Sequence, residues 1–280
     1  MWRISCRGRT LELGRRSVIM GILNVTPDSF SDGGRWADPE RAVARALQML
    51  HEGADIIDVG GESTRPGHQP VPADEEMRRV LPVIAALRRA APEAIISVDT
   101  QKAAVAEAAL EAGADMLNDI WGLQGDPDMV RVAARRQCPV VVMHNQHGTG
   151  YRDLMGDILD FFRRSLALAA EAGLPEELII LDPGIGFGKT ALQNLEVIQR
   201  LGELRALNRP LLLGVSRKST IGKVLGGLPP EERLEGTAAA VAIGIANGAD
   251  ILRVHDVLAM KRVAQVADAI VRTGRGGFEG

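Results

Sequence analysis

Charged and carboxamide side chains stand at the ends of several short apolar runs in this sequence. Asp99, Asn118 and Asp182 each follow such a run, and their oxygens can accept paired hydrogen bonds from the N–H groups of a flat amino-heterocycle. Lys218, Arg253 and His255 follow two later runs, and these residue types bind phosphate and other anions. The chemistry these residues offer is recognition of a ligand with a polar ring at one end and an anionic group at the other.

The elements that must position these residues are eight apolar runs, each followed by a longer amphipathic segment. The predicted strands are 18–24, 55–61, 94–100, 115–120, 139–145, 178–184, 210–216 and 250–256. The segments between them, such as "QKAAVAEAALEAG", repeat apolar residues at spacings of three and four and end on Gly, which is typical of helices. The strands are continuous apolar runs, as expected when both faces of a parallel sheet are covered.

An internal repeat supports this pattern. "EGADIIDV", "AGADMLND" and "NGADILRV" are three copies of one helix end, turn and strand start. Eight such βα units predict an α/β fold, a (β/α)8 TIM barrel, with residues 1–280 in a single domain; a doubly wound open sheet is the alternative. Residues 1–17 are predicted to form a hairpin that closes the bottom of the barrel.

Composition excludes several classes of function. The 280 residues carry a net charge of −3 and only 3% aromatic residues, which argues against binding to nucleic acid or to an anionic membrane surface. No apolar run approaches the roughly 18 residues of a membrane span, and the first residues lack a signal-peptide core. Cys6 and Cys138 have no disulfide or metal-site spacing, so we expect a cytoplasmic protein.

In a barrel of this kind the active site lies at the carboxyl ends of the strands. The acidic residues then face a pterin-like or guanine-like ring, while Arg253, His255 and the helix that begins at Ser219 face a phosphate group. "DPGIGFGKT" is not a Walker A motif, because Pro183 stands where that motif needs Gly. We expect its glycines to run close beneath a flat ligand, with Phe187 lining the ligand's face. The roles of Asp58 and Lys189 stay open.

Five segments carry a resemblance to a known family. "LNVTPDSFSDGG", "DVGGESTRPG", "DPGIGFGK", "LLLGVSRKS" and "ILRVHD" resemble, in the same order, the hallmark segments of the bacterial dihydropteroate synthases. The resemblance implies condensation of 6-hydroxymethyl-7,8-dihydropterin pyrophosphate with p-aminobenzoate, with Mg2+ as cofactor, in a homodimer. The loops after the first two strands would then close over the bound substrates.

The resemblance also implies a role for each matching residue. The pterin-binding positions are Asp99, Asn118, Met143, Asp182, Phe187 and Lys218. The pyrophosphate-binding positions are Asn24, Thr64, Arg253 and His255, with Asn24 also the ligand of Mg2+. The p-aminobenzoate-binding positions are Thr64, Arg65, Pro66, Lys218 and Ser219. Asn24, Asp99, Lys218, Arg253 and His255 are the expected catalytic residues.

Two other functions are compatible with a pterin-binding barrel. A methyltransferase that uses methyltetrahydrofolate shares the barrel and the acidic pterin contacts, but is not expected to carry the "NVTPDSFSDGG" and "GESTRPG" loops. A non-catalytic pterin-binding protein is expected to have lost some loop or phosphate-binding residues, and none of the matched residues is missing here.

Overall fold

The protein is described from a computed structural model that covers residues 1–26, 39–62 and 71–272. Eight parallel strands follow an antiparallel pair at the amino terminus. The strands are β1 (Trp2–Cys6), β2 (Arg9–Leu13), β3 (Val18–Asn24), β4 (Ile56–Gly60), β5 (Ile95–Asp99), β6 (Met116–Asp119), β7 (Val140–Met143), β8 (Ile179–Asp182), β9 (Leu212–Leu213) and β10 (Ile251–Val254).

Helices separate the parallel strands and cover the outside of the sheet. Those within the described ranges are α1 (Pro39–His51), α2 (Ala73–Ala90), α3 (Ala103–Ala112), α4 (Met129–Arg136), α5 (Leu154–Glu171), α6 (Ala191–Gln199), α7 (Ser219–Val224), α8 (Leu234–Ala246) and α9 (Val257–Val271). Three short 3-10 helices lie at Glu176–Leu178, Leu201–Leu207 and Pro230–Glu232. Within these ranges, no helix combines the length and the apolar character that crossing a bilayer requires.

The eight parallel strands close into a barrel. Their order is β8-β7-β6-β5-β4-β3-β10-β9, and the two ends of this row meet where Leu181 pairs with Leu211. The Leu181 N–H donates to the Pro210 carbonyl at 3.0 Å across the same seam. The predicted (β/α)8 barrel is therefore confirmed, and the open sheet is wrong because an open sheet leaves both edges unpaired. All eight predicted strands are present, although β9 is much shorter than the predicted 210–216.

Both faces of the barrel strands are buried, which explains their continuous apolar sequences. Successive side chains of a strand point to opposite faces, yet Ile56, Ile57 and Val59 of β4 are all fully buried. One face contributes to the barrel interior and the other packs beneath the helices. Polar residues enter this interior mainly toward the carboxyl ends of the strands.

The first and last elements are joined on the side of the barrel where the strands begin. The backbone N–H of Ser17 donates to Asp268 of α9 at 2.6 Å, and the Ser17 hydroxyl donates to the same carboxylate at 2.9 Å. In the β1–β2 hairpin, Arg9 donates to the carbonyl of Pro92 and, at 3.3 Å, to Asp115. Pro92 and Asp115 precede β5 and β6, so the hairpin lies against the amino ends of the strands. Assignment of the whole chain to one domain stays a prediction.

Candidate active site

A cavity at the carboxyl ends of the barrel strands collects seven of the predicted site residues. These are Asp99, Asn118, Met143, Asp182, Phe187, Lys218 and Arg253, and Ile120, Ile185 and Gly214 complete the lining. The residues come from β5, β6, β7, β8 and β10 and from the segments that follow β6, β8 and β9. The barrel therefore brings together side chains that are up to 154 residues apart in sequence.

Two buried carboxyl groups form the acidic part of this cavity. Burial raises the pKa of Asp99 to about 7 and also raises the pKa of Asp182. The backbone N–H of Gly184 donates to Oδ1 of Asp182 at 2.8 Å, and this bond together with the nearby charge of Lys218 opposes the effect of burial. An ionised Asp182 therefore has a fixed orientation before any ligand arrives.

A buried ion-pair network holds Arg253. Its Nε donates to Oδ2 of Asp58 at 2.6 Å, and its Nη2 donates to Oδ2 of Asp99 at 2.5 Å. Nδ2 of Asn118 donates to the same Asp58 oxygen at 3.0 Å. Arg253 thus lies within β10, inside the predicted strand 250–256, and its side chain points into the barrel. Asp58, whose role sequence reasoning left open, is the residue that anchors both Arg253 and Asn118.

Lys218 and Phe187 are in direct contact in the lining of the cavity. The Lys218 ammonium lies 4.4 Å from the centroid of the Phe187 ring, a cation–π contact. Gly186 has a φ of +88°, and a Cβ at this position would lie 3.2 Å from Cδ of Lys218. The absence of a side chain at Gly186 therefore leaves room for Lys218, while the expectation that these glycines run close beneath a flat ligand stays a prediction.

His255 lies outside the lining of this cavity, next to Ser216. The His255 backbone N–H donates to the Ser216 oxygen at 3.1 Å, and Nδ1 of the ring is hydrogen-bonded to the same hydroxyl at 2.9 Å. Burial, with the charges of Arg253 and Arg217, lowers the pKa of His255 to about 3, so the neutral ring presents one N–H donor.

The remaining predicted residues lie elsewhere at the same end of the barrel or fall outside the described residues. Asn24 is the last residue of β3 and is half-buried, and Ser219 is the exposed first residue of α7. Thr64, Arg65 and Pro66 lie outside the described residues. Arg217, next to Lys218 in sequence, makes a bidentate pair with Asp256 at 2.6 and 2.9 Å.

Comparison with known proteins shows to which family the chain belongs. Residues 20–255 match the model of the pterin binding enzyme family. A dihydropteroate synthase of Clostridium beijerinckii is 52% identical over 265 residues, which cover 94% of this chain and 98% of the relative. The chain belongs to the dihydropteroate synthase family. Another member, from Bacillus subtilis, is 50% identical over 271 residues, covering 97% of this chain and 94% of the relative.

Solved structures of dihydropteroate synthases share the fold. The Clostridium difficile enzyme, crystallised in the presence of pteroic acid, superposes with a TM-score of 0.91 at 53% identity, covering 94% of this chain and all of that one. The Xanthomonas albilineans enzyme in complex with 7,8-dihydropteroate gives a TM-score of 0.88 at 40% identity, covering 96% and 98%. The barrel and the family membership inferred from the five sequence segments are therefore confirmed, while the roles of individual residues stay predictions.

Proposed function

We propose that this chain condenses 6-hydroxymethyl-7,8-dihydropterin pyrophosphate with p-aminobenzoate, forming 7,8-dihydropteroate and pyrophosphate for folate biosynthesis. The observation that carries the proposal is the cavity in which acidic, cationic and aromatic side chains converge in a barrel of the dihydropteroate synthase family. A family structure from Xanthomonas albilineans with 4-aminobenzoic acid, at a TM-score of 0.90 and 42% identity, supports the second substrate.

The acidic residues bind the pterin ring in this proposal. Ionised Asp182 accepts hydrogen bonds from adjacent N–H groups of the ring, because its other partner, the Gly184 N–H, already fixes the carboxylate. Oδ1 of Asp99 is buried without a partner among the described residues, so it can accept a further ring N–H. The Asn118 amide nitrogen donates to Asp58, and this bond fixes the orientation of the amide. In the proposal, the amide oxygen of Asn118 accepts a hydrogen bond from the ring.

The cationic residues stabilise the leaving group. Pyrophosphate leaves with its bonding electrons, and the negative charge that develops needs donors fixed in advance. His255 supplies its one ring N–H, and the guanidinium of Arg253 is held by two carboxylates so that it does not have to reorganise. The pterin ring delocalises the positive charge left on the methylene carbon, and the carboxylates of Asp99 and Asp182 favour that cation. Both effects support a dissociative substitution.

The nucleophile needs little activation. The arylamine of p-aminobenzoate is uncharged at neutral pH, so its nitrogen attacks the methylene carbon and then loses a proton to water. We assign the carboxylate of p-aminobenzoate to Ser219 at the start of α7, with Lys218 beside the ring. Thr64, Arg65 and Pro66 complete this subsite by family resemblance.

The residues present are compatible with a Mg2+ ion. Mg2+ takes oxygen ligands and keeps several waters or substrate phosphates, so it needs few protein ligands. Oδ1 of Asn24 lies 3.9 Å from the place that a Cβ on Gly60 would fill, so the glycine leaves space beside this oxygen. Within the described residues there is no cluster of three His, Cys, Asp or Glu side chains that would form a separate metal site. When bound by Asn24, the ion would neutralise charge on the leaving pyrophosphate.

We further infer a cytoplasmic homodimer. Both cysteines are buried thiols, which suits a reducing compartment. Exposed apolar side chains occur on neighbouring helices, at Leu192 and Leu195 of α6 and at Ile243 of α8, and a second copy of the chain would bury them.

The test combines purified protein, Mg2+, the pterin pyrophosphate and labelled p-aminobenzoate, with chromatographic separation of the products. We expect a labelled dihydropteroate peak that chelation of the metal abolishes and added Mg2+ restores. Binding of the pterin pyrophosphate without formation of the adduct would refute the transferase activity and leave only the ligand assignment.

A further inference from the structure

A buried lysine is hydrogen-bonded to the segment after β8 that lines the cavity, and it has no part in the mechanism above. The Lys189 residue is 8% exposed, and its Nζ lies 2.8 Å from Nδ1 of His144 and 3.1 Å from each of the carbonyl oxygens of Gly184 and Phe187. Burial, with the charge of Lys189, lowers the pKa of His144 to about 3, so all three partners are uncharged. A buried ammonium is costly unless negative charge compensates it.

Gly184 connects this lysine to Asp182. Its carbonyl accepts the hydrogen bond from Lys189, and its N–H donates to Oδ1 of Asp182 at 2.8 Å. The two charged groups therefore lie on either side of a single residue. Each stabilises the ionised form of the other against the larger effect of burial. The charges of Lys218 and Arg253, and after them that of Lys189, lower the pKa of Asp182, and the charge of Asp182 raises the pKa of Lys189.

The backbone around Lys189 is closely packed. Gly184 has a φ of +70°, and a Cβ on it would lie 2.0 Å from the carbonyl oxygen of His144. A Cβ on Gly188, whose φ is +56°, would lie 2.7 Å from the carbonyl oxygen of Gln146. The His144 N–H also donates to the carbonyl of Asp182 at 2.9 Å. The end of β7 and the segment after β8 thus pack directly against each other, and together they form the wall around Lys189.

Other charged groups also face Asp182, but each has a further task. The Arg253 guanidinium on β10 is bonded to Asp58 and Asp99, and Lys218 after β9 lies over the Phe187 ring where substrate is expected. His144 at the end of β7 is neutral. The described hydrogen bonds of Lys189, by contrast, involve only the wall itself.

We propose that Lys189 is a positioning residue that serves as a buried counter-charge of Asp182 on the side away from Lys218 and Arg253, helping to keep this carboxylate ionised and aimed at the pterin ring. The inference rests on the proposed function in one respect, namely that the ring lies against Asp182. The pH range in which Lys189 is charged is compatible with this role. Burial lowers the pKa of Lys189 to about 7, so the ammonium is present below that pH, where Asp182 would otherwise gain a proton.

The test measures binding of pteroic acid to the full-length chain by calorimetry between pH 5 and 9. Lys189→Met removes charge and hydrogen bonds, Lys189→Gln removes the charge but keeps a donor, and Lys189→Arg keeps the charge. Lys261→Met is the matched control, because Lys261 is also largely buried, with 21% of its side chain exposed, but lies beside Asp55 at the other end of the barrel. Asp99 titrates in the same range, so only differences between the variants and the wild type count.

We expect Lys189→Met and Lys189→Gln to lose affinity increasingly as the pH falls below 7. The pH at which binding is half lost should rise by about one unit, as for removal of a neighbouring opposite charge. Lys189→Arg and Lys261→Met should keep the wild-type profile. An equal loss at every pH, or no loss, overturns the counter-charge role. So does a Lys189→Arg variant that behaves like Lys189→Met.

Three further outcomes separate this inference from other failures. If Lys189→Met does not fold, Lys189→Gln and Lys189→Arg give the same comparison of neutral with charged side chains. A wild-type chain that binds pteroic acid but forms no dihydropteroate overturns the proposed function and leaves this inference intact. A Lys261→Met variant with the same pH-dependent loss overturns the inference, since any buried lysine would then produce the effect.

Discussion

Replacing Asp58 by Asn isolates the effect of one buried negative charge beneath the active site. Oδ2 of Asp58 accepts hydrogen bonds from Arg253 at 2.6 Å and from Asn118 at 3.0 Å, and an amide oxygen in its place still accepts both. The variant therefore loses mainly the charge. Loss of the charge weakens each of these two bonds by about 1 kcal/mol, the difference between a charge-assisted hydrogen bond and an ordinary one, while Arg253 keeps its bond to Asp99. We expect the free energy of unfolding to fall by about 2 kcal/mol.

The same substitution should change the pH dependence of the reaction. Burial is the main cause of the raised pKa of Asp99, and the charge of Asp58 raises it further. Removing that charge lowers the pKa of Asp99, so dihydropteroate formation should persist to lower pH. A carboxyl group whose folded pKa lies above its ordinary value costs stability as the pH rises toward about 7, and this cost should shrink in Asp58→Asn.

Ser97→Ala is the matched control for Asp58→Asn. Ser97 pairs with Asp58 in the register of β4 and β5, is fully buried, and its hydroxyl has no partner among the described residues. Removing such a group should change stability by less than about 1 kcal/mol. Urea denaturation at pH 8 and initial rates from pH 5 to 9 give both readouts. Equal stability losses in the two variants, or an unchanged pH profile in Asp58→Asn, would refute the reasoning.

Three further predictions concern ring recognition, loop geometry and the metal. Asp182→Asn keeps the acceptor for Gly184 but turns an amide donor toward the pterin, so affinity for pteroic acid should fall about tenfold to a hundredfold by calorimetry; unchanged affinity would contradict the assignment. Arg217→Ala and Asp256→Ala should be non-additive in a double-mutant cycle on stability, because the bidentate pair couples the segments after β9 and β10. Chelation should abolish turnover but leave the melting temperature unchanged, since no described structural metal site exists.

The barrel could be predicted from the sequence because its signals are local. Continuous apolar runs, Gly-terminated helices and a repeated turn each act within a few residues, and all eight predicted strands are present. β9 is shortened to Leu212–Leu213, which pair with β10. Pro210 before it has no N–H to donate to a neighbouring strand, and on the β8 side a single bridge joins Leu211 to Leu181. Strand lengths depend on such pairings and could not be predicted from the apolar runs alone.

The candidate site was predicted only at the level of which residues take part. Strand ends gave Asp99, Asn118, Asp182 and Arg253, because the carboxyl ends of parallel strands meet at one face. The pairing of Arg253 with Asp58 joins residues 195 positions apart, and no local pattern reports it. Burial of Lys189 likewise depends on the close contact between two backbone segments.

The bond between Ser17 and Asp268 has a consequence for the order in which the molecule is made. It joins residues 251 positions apart, and β3 also pairs with β10. The early strand β3 therefore cannot complete its pairing until the last strand has been synthesised. While the chain leaves the ribosome from its amino terminus, one edge of β3 stays without a neighbour until almost all of the sequence has emerged. An unpaired edge can template contacts with other chains, so we expect the interval before ring closure to be when a growing chain is most prone to aggregate and most dependent on chaperones.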